Sequence, residues 1–205
     1  MTHDELQWRE FGHRRIEFGG YAWRAKHGGP FGPGNNFFSE TEDHIRIDRL
    51  GRLHLRVACR QGSWYCPEMV LLDPLGYGDY IFKTVGRVDR IDPNLILGLF
   101  LWEYQECYEH IGTRNVANEF DIEFGTWKDP NRLPLQYVCQ PWQTPGNEHR
   151  VPFSLDSDGA LTSHAFRWIP GRMECRSWLG HDDSPDADRI LHIWTSESRD
   201  LPRPE

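Results

Sequence analysis

Short runs of alternating apolar and polar residues recur along this chain, with Gly, Pro, Asn and Asp between them. Residues 44–60, for example, contain two alternating segments that flank a turn at residues 48–51. Successive side chains of a strand point to opposite faces, so this period predicts strands with one face on a core. Because such runs follow one another closely and helical stripes are rare, we predict an all-β fold, an antiparallel two-sheet β-jelly roll.

Three segments depart from simple alternation. Residues 95–102 are nearly all apolar, which predicts a strand buried on both faces. Residues 28–36, GGPFGPGNN, are predicted to be irregular because Pro and Gly disfavour both strand and helix. Residues 180–189 contain four Asp and are predicted to form a solvated loop. We predict one domain over residues 1–205, with residues 1–19 as an N-terminal arm or edge strand.

Composition narrows the classes of partner. The 205 residues carry 23 Lys and Arg against 31 Asp and Glu, a net charge of −8, which argues against a nucleic-acid partner. No apolar stretch is long enough to predict a membrane span, so no membrane partner is expected. The nine Trp, 19 Gly and 14 Pro favour a β-sandwich over a helical bundle. We expect a monomer.

The cellular compartment is predicted from the N-terminus and the cysteines. The first residues lack the apolar segment of a signal peptide. The five Cys show no CxxC spacing, and we interpret them as mostly reduced. We therefore predict a cytoplasmic protein, or a secreted one if an export signal has been removed.

Three carboxylates, Glu119, Asp121 and Glu123, stand at every second position of the segment NEFDIEF. In a strand they share one face, while Phe120 and Ile122 face the other way. A chain of this composition contains E-x-D-x-E by chance in fewer than about one case in ten. Two plain interpretations are a wet polar face and a cation site on a sheet surface.

A functional interpretation of these carboxylates is chemistry at a glycosidic bond. Glu119 would be the nucleophile and Glu123 the acid/base, with Asp121 between them. Crowding of like charges raises the pKa of one carboxyl, which suits an acid that must hold a proton. Retaining hydrolysis needs the two working carboxyls about 5 Å apart, so both side chains must lean together over a curved sheet.

The segment NEFDIEF, residues 118–124, resembles the signature of glycoside hydrolase family 16, although Phe120 stands where that family has Ile, Leu or Val. Looser similarities cover about residues 20–195. They are GYGDY at 76–80, LGLFLW at 97–102, HAFRW at 164–168 and LHIW at 191–194. The resemblance implies a concanavalin A-like sandwich with a concave glycan-binding cleft. It also implies a retaining endo-hydrolase of a β-glycan.

The resemblance and the aromatic residues together indicate candidate substrate contacts. Glu68 corresponds to a glycan-binding Glu of the family, and aromatic faces stack on the C–H faces of pyranose rings. For any single Trp, core packing is the alternative. Val70 and His192 differ from the Arg and Asn that lichenases of the family carry, so β-1,3-1,4-glucan is not assumed as substrate. The predicted substrate-binding residues are Asn35, Glu68, Trp102, Gln140, Trp142, His192 and Trp194.

No cofactor or metal ligand set is predicted. The ten His form no HxH or HxxxH pair, and the chain lacks G-x-S-x-G and phosphate-loop motifs. Relatives in the family often carry a structural Ca²⁺, which no motif here identifies. Two other functions use the same scaffold. One is a non-catalytic, lectin-like carbohydrate-binding protein, and the other is a transglycosylase with the same three carboxylates.

Overall fold

The computed structural model describes residues 10–103, 115 and 118–204, and these residues form an all-β structure. Its regular elements are seventeen strands and two single-turn 3₁₀ helices in the described ranges. Within those ranges no helix is long and apolar enough to cross a membrane. The contacts divide the chain into two compact units, Met1–Leu75 and Gly76–Glu205. The all-β prediction is confirmed, whereas a single domain over residues 1–205 stays a prediction.

The described part of the N-terminal unit contains nine strands. They are β1 Phe11–Phe18, β2 Tyr21–Lys26, β3 Gly28–Phe31, β4 Asn36–Phe38, β5 Ile45–Ile47, β6 Leu53–Leu55, β7 Ala58–Arg60, β8 Ser63–Cys66 and β9 Met69–Leu71. These strands form three small sheets, with the orders β1-β2-β9, β3-β4-β8-β7 and β5-β6. The predicted turn at residues 48–51 joins β5 to β6, and Asp48 Oδ1 accepts the N–H groups of Leu50 and Arg52 at 2.9 Å each.

The C-terminal unit contains two four-stranded antiparallel sheets. The front sheet has the order β11-β12-β13-β14, formed by Leu97–Leu101, Phe120–Phe124, Leu135–Cys139 and Glu148–Val151. The back sheet has the order β10-β15-β16-β17, formed by Gly78–Val85, Leu161–Ile169, Arg172–Leu179 and Ile190–Ser196.

The main core lies between the front and back sheets. Phe120, Ile122 and Phe124 of β12 are fully buried in it, as the alternation of NEFDIEF predicts. The ring of Phe166 in β15 packs edge-on against Phe120, with centroids 5.8 Å apart. β12 therefore has one apolar inner face, which leaves its carboxylates on the outer face.

Two predictions about single segments are wrong. Among the described strands β11 is the edge strand of the front sheet, and none of its residues is buried, because on one side it pairs with no described strand. Gly28–Phe31 forms β3 although it contains Pro30, because β3 pairs with β4 only at Gly28 and Phe31 across an irregular register. The turn region at residues 180–189 was predicted as a loop, and only its last residues enter a 3₁₀ turn.

A chain of polar side chains crosses the core at His164. Its Nδ1 lies 2.8 Å from Ser177 Oγ, which lies 2.7 Å from the Tyr137 hydroxyl. Its Nε2 lies 2.9 Å from Thr162 Oγ1. Burial lowers the pKa of His164 to about 3. The imidazole is therefore neutral in the folded protein, with both ring nitrogens satisfied by hydroxyl groups.

The buried His164 predicts a loss of stability in mild acid. Its folded pKa lies below the usual 6.5, so the unfolded chain binds a proton first and stability falls as pH drops below 6.5. Between pH 7 and pH 5 this one group costs about 2 kcal/mol. Urea unfolding of His164→Gln should show a pH 7 to pH 5 loss that is smaller by that amount. The exposed His13→Gln serves as control, and an equal loss in His164→Gln and wild type would contradict a neutral His164.

Candidate active site

The three carboxyl groups lie on the outer face of the front sheet, which we call the carboxylate face. Asp121 and Glu123 belong to β12, and Glu119 directly precedes it. Asp121 is only 4% exposed because Phe100 of β11 and Val138 of β13 are its neighbours across the strands. The predicted alternation therefore holds, but the central carboxyl is buried rather than wet.

Asp121 sits in an environment that favours its protonated form. Burial is the largest cause that raises its pKa well above 3.8, and the charges of Glu119 and Glu123 raise the pKa further. A side-chain hydrogen bond with Glu119 acts in the same direction. Gln140 Nε2 donates to Asp121 Oδ2 at 3.0 Å and opposes the shift. A protonated Asp121 can donate to Glu119 and so leave Glu119 as the ionised member of the pair.

Glu123 also has a raised pKa, again because of burial. Gln136, its cross-strand partner on β13, donates from Nε2 to Glu123 Oε2 and opposes the shift. Arg150 and Arg132 oppose it through their charges, whereas Glu148 adds to it. A carboxyl that keeps its proton closer to neutral pH is suited to general acid catalysis.

The residue opposite Glu123 on β11 is a glycine. Gly98 lies directly opposite Glu123 in the register, and among the described residues only the ring of Phe100 would lie within 4 Å of a Cβ added there, at 3.7 Å. Gly98 and Phe100 both face the carboxylate side. Trp102 follows two residues after Phe100, just beyond the end of β11, and it is half-buried. The predicted contribution of Trp102 to this face stays a proposal.

An aromatic and basic cluster borders Glu123, and the sequence prediction missed it. Arg132 and Arg150 place their guanidinium carbons 4.9 and 5.1 Å from the ring centroid of Trp127. Arg150 also forms an ion pair with Glu148. No linear motif marks these residues, since they meet only through the pairing of Gln136 with Arg150 across β13 and β14. Gln136 itself could have been found, because it shares a parity with the predicted Gln140.

Gln140 connects the buried carboxyl to an exposed tryptophan. Its Oε1 accepts the backbone N–H of Trp142 at 3.2 Å, while its Nε2 binds Asp121. Trp142 lies in the turn after β13, and it is 50% exposed. Both predicted residues therefore adjoin the carboxylates, Gln140 by direct contact and Trp142 through its backbone.

Two predicted substrate contacts lie elsewhere. Trp194 stacks on Phe120 and Tyr137 at centroid distances of 6.2 and 6.1 Å, so it faces the core between the sheets. His192, two residues earlier on β17, has Nε2 2.6 Å from Pro152 O. Phe120 points away from Asp121, so neither residue lies on the carboxylate face. Both residues belong to β17 of the back sheet, and a glycan contact for either stays a prediction.

Two further predicted contacts belong to the N-terminal unit. The carboxylate of Glu68 accepts hydrogen bonds from Lys26 Nζ at 3.3 and 3.4 Å, and burial raises its pKa. Asn35 is exposed in the turn between β3 and β4, where its φ of 56° is left-handed. A glycan contact for either residue stays a prediction. In the described part of the chain no group of three or more His, Cys, Asp or Glu could hold a metal ion.

Asp121→Asn is expected to stabilise the protein increasingly as pH rises. The raised pKa means that wild type loses stability between the usual 3.8 and the folded pKa, by up to about 1.4 kcal/mol per pH unit. A permanently neutral Asn avoids this loss and can still donate to Glu119 and accept from Gln140. Urea unfolding midpoints at pH 4, 5.5 and 7 measure the gap in stability between Asp121→Asn and wild type, with Asp158→Asn at an exposed position as control. A gap that stays constant from pH 4 to pH 7 contradicts the raised pKa.

Solved β-glucanases resemble this chain over most of its length. A β-glucanase of Bacillus licheniformis aligns over 92% of this chain and 77% of its own, with 18% identity and a TM-score of 0.55. A β-1,3-1,4-glucanase (lichenase) from a mouse hindgut metagenome aligns over 88% and 74%, with 18% identity and a TM-score of 0.53. The chain has the fold of the jelly-roll β-glucanases. At these identities the likeness concerns the fold alone.

The same fold also occurs in a protein described as a pseudo-enzyme. An immunostimulatory antigen and pseudo β-1,3-glucanase of Mycobacterium tuberculosis aligns over 82% of this chain and 68% of its own, with 14% identity and a TM-score of 0.53. No family model and no curated protein matches this sequence. Function must therefore be argued from the carboxylate face itself.

Proposed function

We propose that this protein is a retaining, endo-acting glycoside hydrolase that cleaves a β-glycan. The carboxylate face carries the proposal. It presents three carboxyl groups at every second position of residues 119–123, of which Asp121 is hydrogen-bonded to Glu119, and both Asp121 and Glu123 have raised pKa values. A glycosidase needs one ionised and one protonated carboxyl at the same bond. The β-glucanase fold is consistent with this assignment.

In the proposed mechanism Glu119 attacks the anomeric carbon while Glu123 gives its proton to the departing glycosidic oxygen. The bond from the anomeric carbon to that oxygen breaks, and a glycosyl ester on Glu119 forms. Glu123, now ionised, takes a proton from water, whose oxygen attacks the same carbon and releases Glu119. Two inversions give net retention. Asp121 donates its hydrogen bond to Glu119 and orients that carboxylate for attack.

The surroundings of Glu123 and Asp121 supply candidate substrate contacts. The half-exposed Trp142 offers a stacking surface beside Gln140. Gly98 has no side chain, and among the described residues only the Phe100 ring lies within 4 Å of its Cβ position, which supports room for a sugar next to the acid. Trp102 is proposed as a further contact from its parity on β11. We expect a neutral or near-neutral glycan to bind by such stacking and by hydrogen bonds to its hydroxyl groups.

The test is release of reducing ends from a panel of β-glucans, galactans and algal glycans. Wild type should cleave at least one of them internally, and NMR of the fresh product should show the β-anomer first. Glu119→Gln should be inactive on the same glycan. Cleavage that persists in this variant, or an α-anomer first, would contradict the proposed roles. A transglycosylase would instead transfer the cleaved chain to added oligosaccharide acceptors.

A lectin-like function predicts a different result from the same panel. No glycan would be cleaved, but one would raise the melting temperature of wild type, and Trp142→Ala would reduce that shift. The pseudo β-1,3-glucanase with this fold is the reason to include this measurement.

A further inference from the structure

Glu119 stands outside the regular hydrogen-bond ladder of the front sheet. β12 begins at Phe120, and the last paired residues of β11 and β12 are Leu101 and Phe120. Toward β13, the Glu119 carbonyl accepts the N–H of Gln140 at a long 3.3 Å. The backbone of Glu119 must therefore be held by other groups, since buried peptide groups are nearly always paired.

A single side chain holds both backbone groups of Glu119. Asn115 Oδ1 accepts the Glu119 N–H at 2.9 Å, and Asn115 Nδ2 donates to the Glu119 carbonyl at 2.9 Å. The same Nδ2 donates to the carbonyl of Asp200 at 2.8 Å. Asn115 is 2% exposed, so these bonds do not compete with water. The amide side chain thus takes the place of a neighbouring strand.

Residues 198–203, which we call the C-terminal segment, contact Asn115 through the backbone carbonyl of Asp200. Asn118, in the left-handed conformation with φ 49°, binds both backbone groups of Arg203 at 2.7 and 2.8 Å. Trp168 Nε1 donates to the carbonyl of Pro202 at 3.0 Å. The carboxylate of Asp200 accepts Asn147 Nδ2 at 2.9 Å, and both residues are buried. The segment is therefore fixed at several independent points.

We propose that Asn115 is the positioning residue for the nucleophile Glu119, through its two hydrogen bonds to the Glu119 backbone. This inference rests on the proposed function. The carboxylate of Glu119 can attack only when its backbone is fixed, because its residue lies beyond the end of the ladder. A displacement of about 1 Å at a reacting group costs on the order of 10²-fold in rate. Asn115 does not contact substrate in this assignment and acts only through Glu119.

The test compares Asn115→Ala with Ser198→Ala. Ser198 Oγ accepts the N–H of Asp200 at 3.1 Å and donates to Asn147, so its loss loosens the same segment without touching Glu119. The probe is phenyl β-cellobioside, whose poor leaving group makes cleavage of the glycosidic bond, and therefore attack by Glu119, limit kcat. We expect Asn115→Ala to lower kcat by about 10- to 100-fold with KM within twofold. Ser198→Ala should stay within threefold of wild type in kcat.

Two further measurements separate positioning from simple support. Amide hydrogen exchange at Glu119 should accelerate in Asn115→Ala and not in Ser198→Ala, because only the first variant removes the acceptor. All kinetic data are taken at the same interval below each variant's melting temperature. If Asn115→Ala does not fold, Asn115→Asp decides, because it keeps the acceptor and loses both donated bonds. We expect it to lower kcat by about threefold to tenfold.

The outcomes distinguish this inference from the proposed function. An active wild type with equal kcat in Asn115→Ala and Ser198→Ala overturns the positioning role alone. A rise in KM at unchanged kcat overturns it as well. A wild type that cleaves neither the probe nor any glycan of the panel overturns the proposed function, and the positioning role falls with it.

Discussion

Glu119→Ala is expected to lower kcat on the best-cleaved glycan by about 10⁴-fold or more, the scale on which removal of a nucleophile acts in other hydrolases. The lost carboxylate leaves a space next to the anomeric carbon, and azide is small enough to enter it. Attack by azide inverts the β-linkage once, so sodium azide should restore turnover and give the α-glycosyl azide. Product NMR identifies the anomer.

The matched control for this variant is Glu174→Ala, because Glu174 lies on the back sheet, paired with Arg172. It should keep wild-type kcat with and without azide. A Glu119→Ala protein that gives only hydrolysis product of unchanged anomeric configuration at a near-normal rate would show that Glu119 is not the nucleophile.

Glu123→Ala is expected to lose much activity on substrates with a poor leaving group and little in the first step with a good one. General acid catalysis contributes about 10²- to 10⁴-fold, so cleavage of a natural glycan should fall by that factor. The first step with a 2,4-dinitrophenyl glycoside needs no proton and should slow little. The glycosyl ester then accumulates, and azide should capture it as the β-glycosyl azide, because Glu119 has already inverted the centre once.

The pH profile gives a second test of Glu123. Its pKa is raised by burial, so wild-type activity should fall on the alkaline side as the acid loses its proton. This alkaline limb should be absent in Glu123→Ala. The assignment is contradicted if Glu123→Ala slows the cleavage of the natural glycan and of the dinitrophenyl glycoside by the same factor, or if the alkaline limb persists in the variant. Opposite azide products from the two variants would separate the roles of Glu119 and Glu123.

The core of this fold and the centre of its candidate site follow from strand periodicity. Alternation alone places Phe120 and Ile122 inside and Asp121 outside, and the structure agrees. The prediction that the apolar run of β11 is buried on both faces is wrong, because hydrophobicity does not reveal whether a strand lies at a sheet edge. Periodicity does not predict β14, because Glu148–Val151 is mostly polar and shows no apolar alternation.

Composition alone cannot tell which tryptophans lie in the core and which are accessible to a ligand. Trp168 and Trp178 are buried, Trp194 stacks within the core, and Trp142 is half exposed. Which of these a sugar can reach depends on the face that each strand turns inward, and that face is fixed only when the sheets pack. Asn115 belongs to no recognised sequence motif, and although Glu119 is close to it in sequence, its other partner Asp200 is far away along the chain.

Gln140 links two groups of very different exposure, the buried carboxyl of Asp121 and the backbone of Trp142. A ligand that displaces the Trp142 turn also displaces the amide that favours ionised Asp121. Ligand occupancy and proton uptake at Asp121 are then thermodynamically linked, and linkage is reciprocal. If a bound glycan weakens the Gln140 bond, it raises the pKa of Asp121 further, and that glycan then binds more tightly below this pKa than above it.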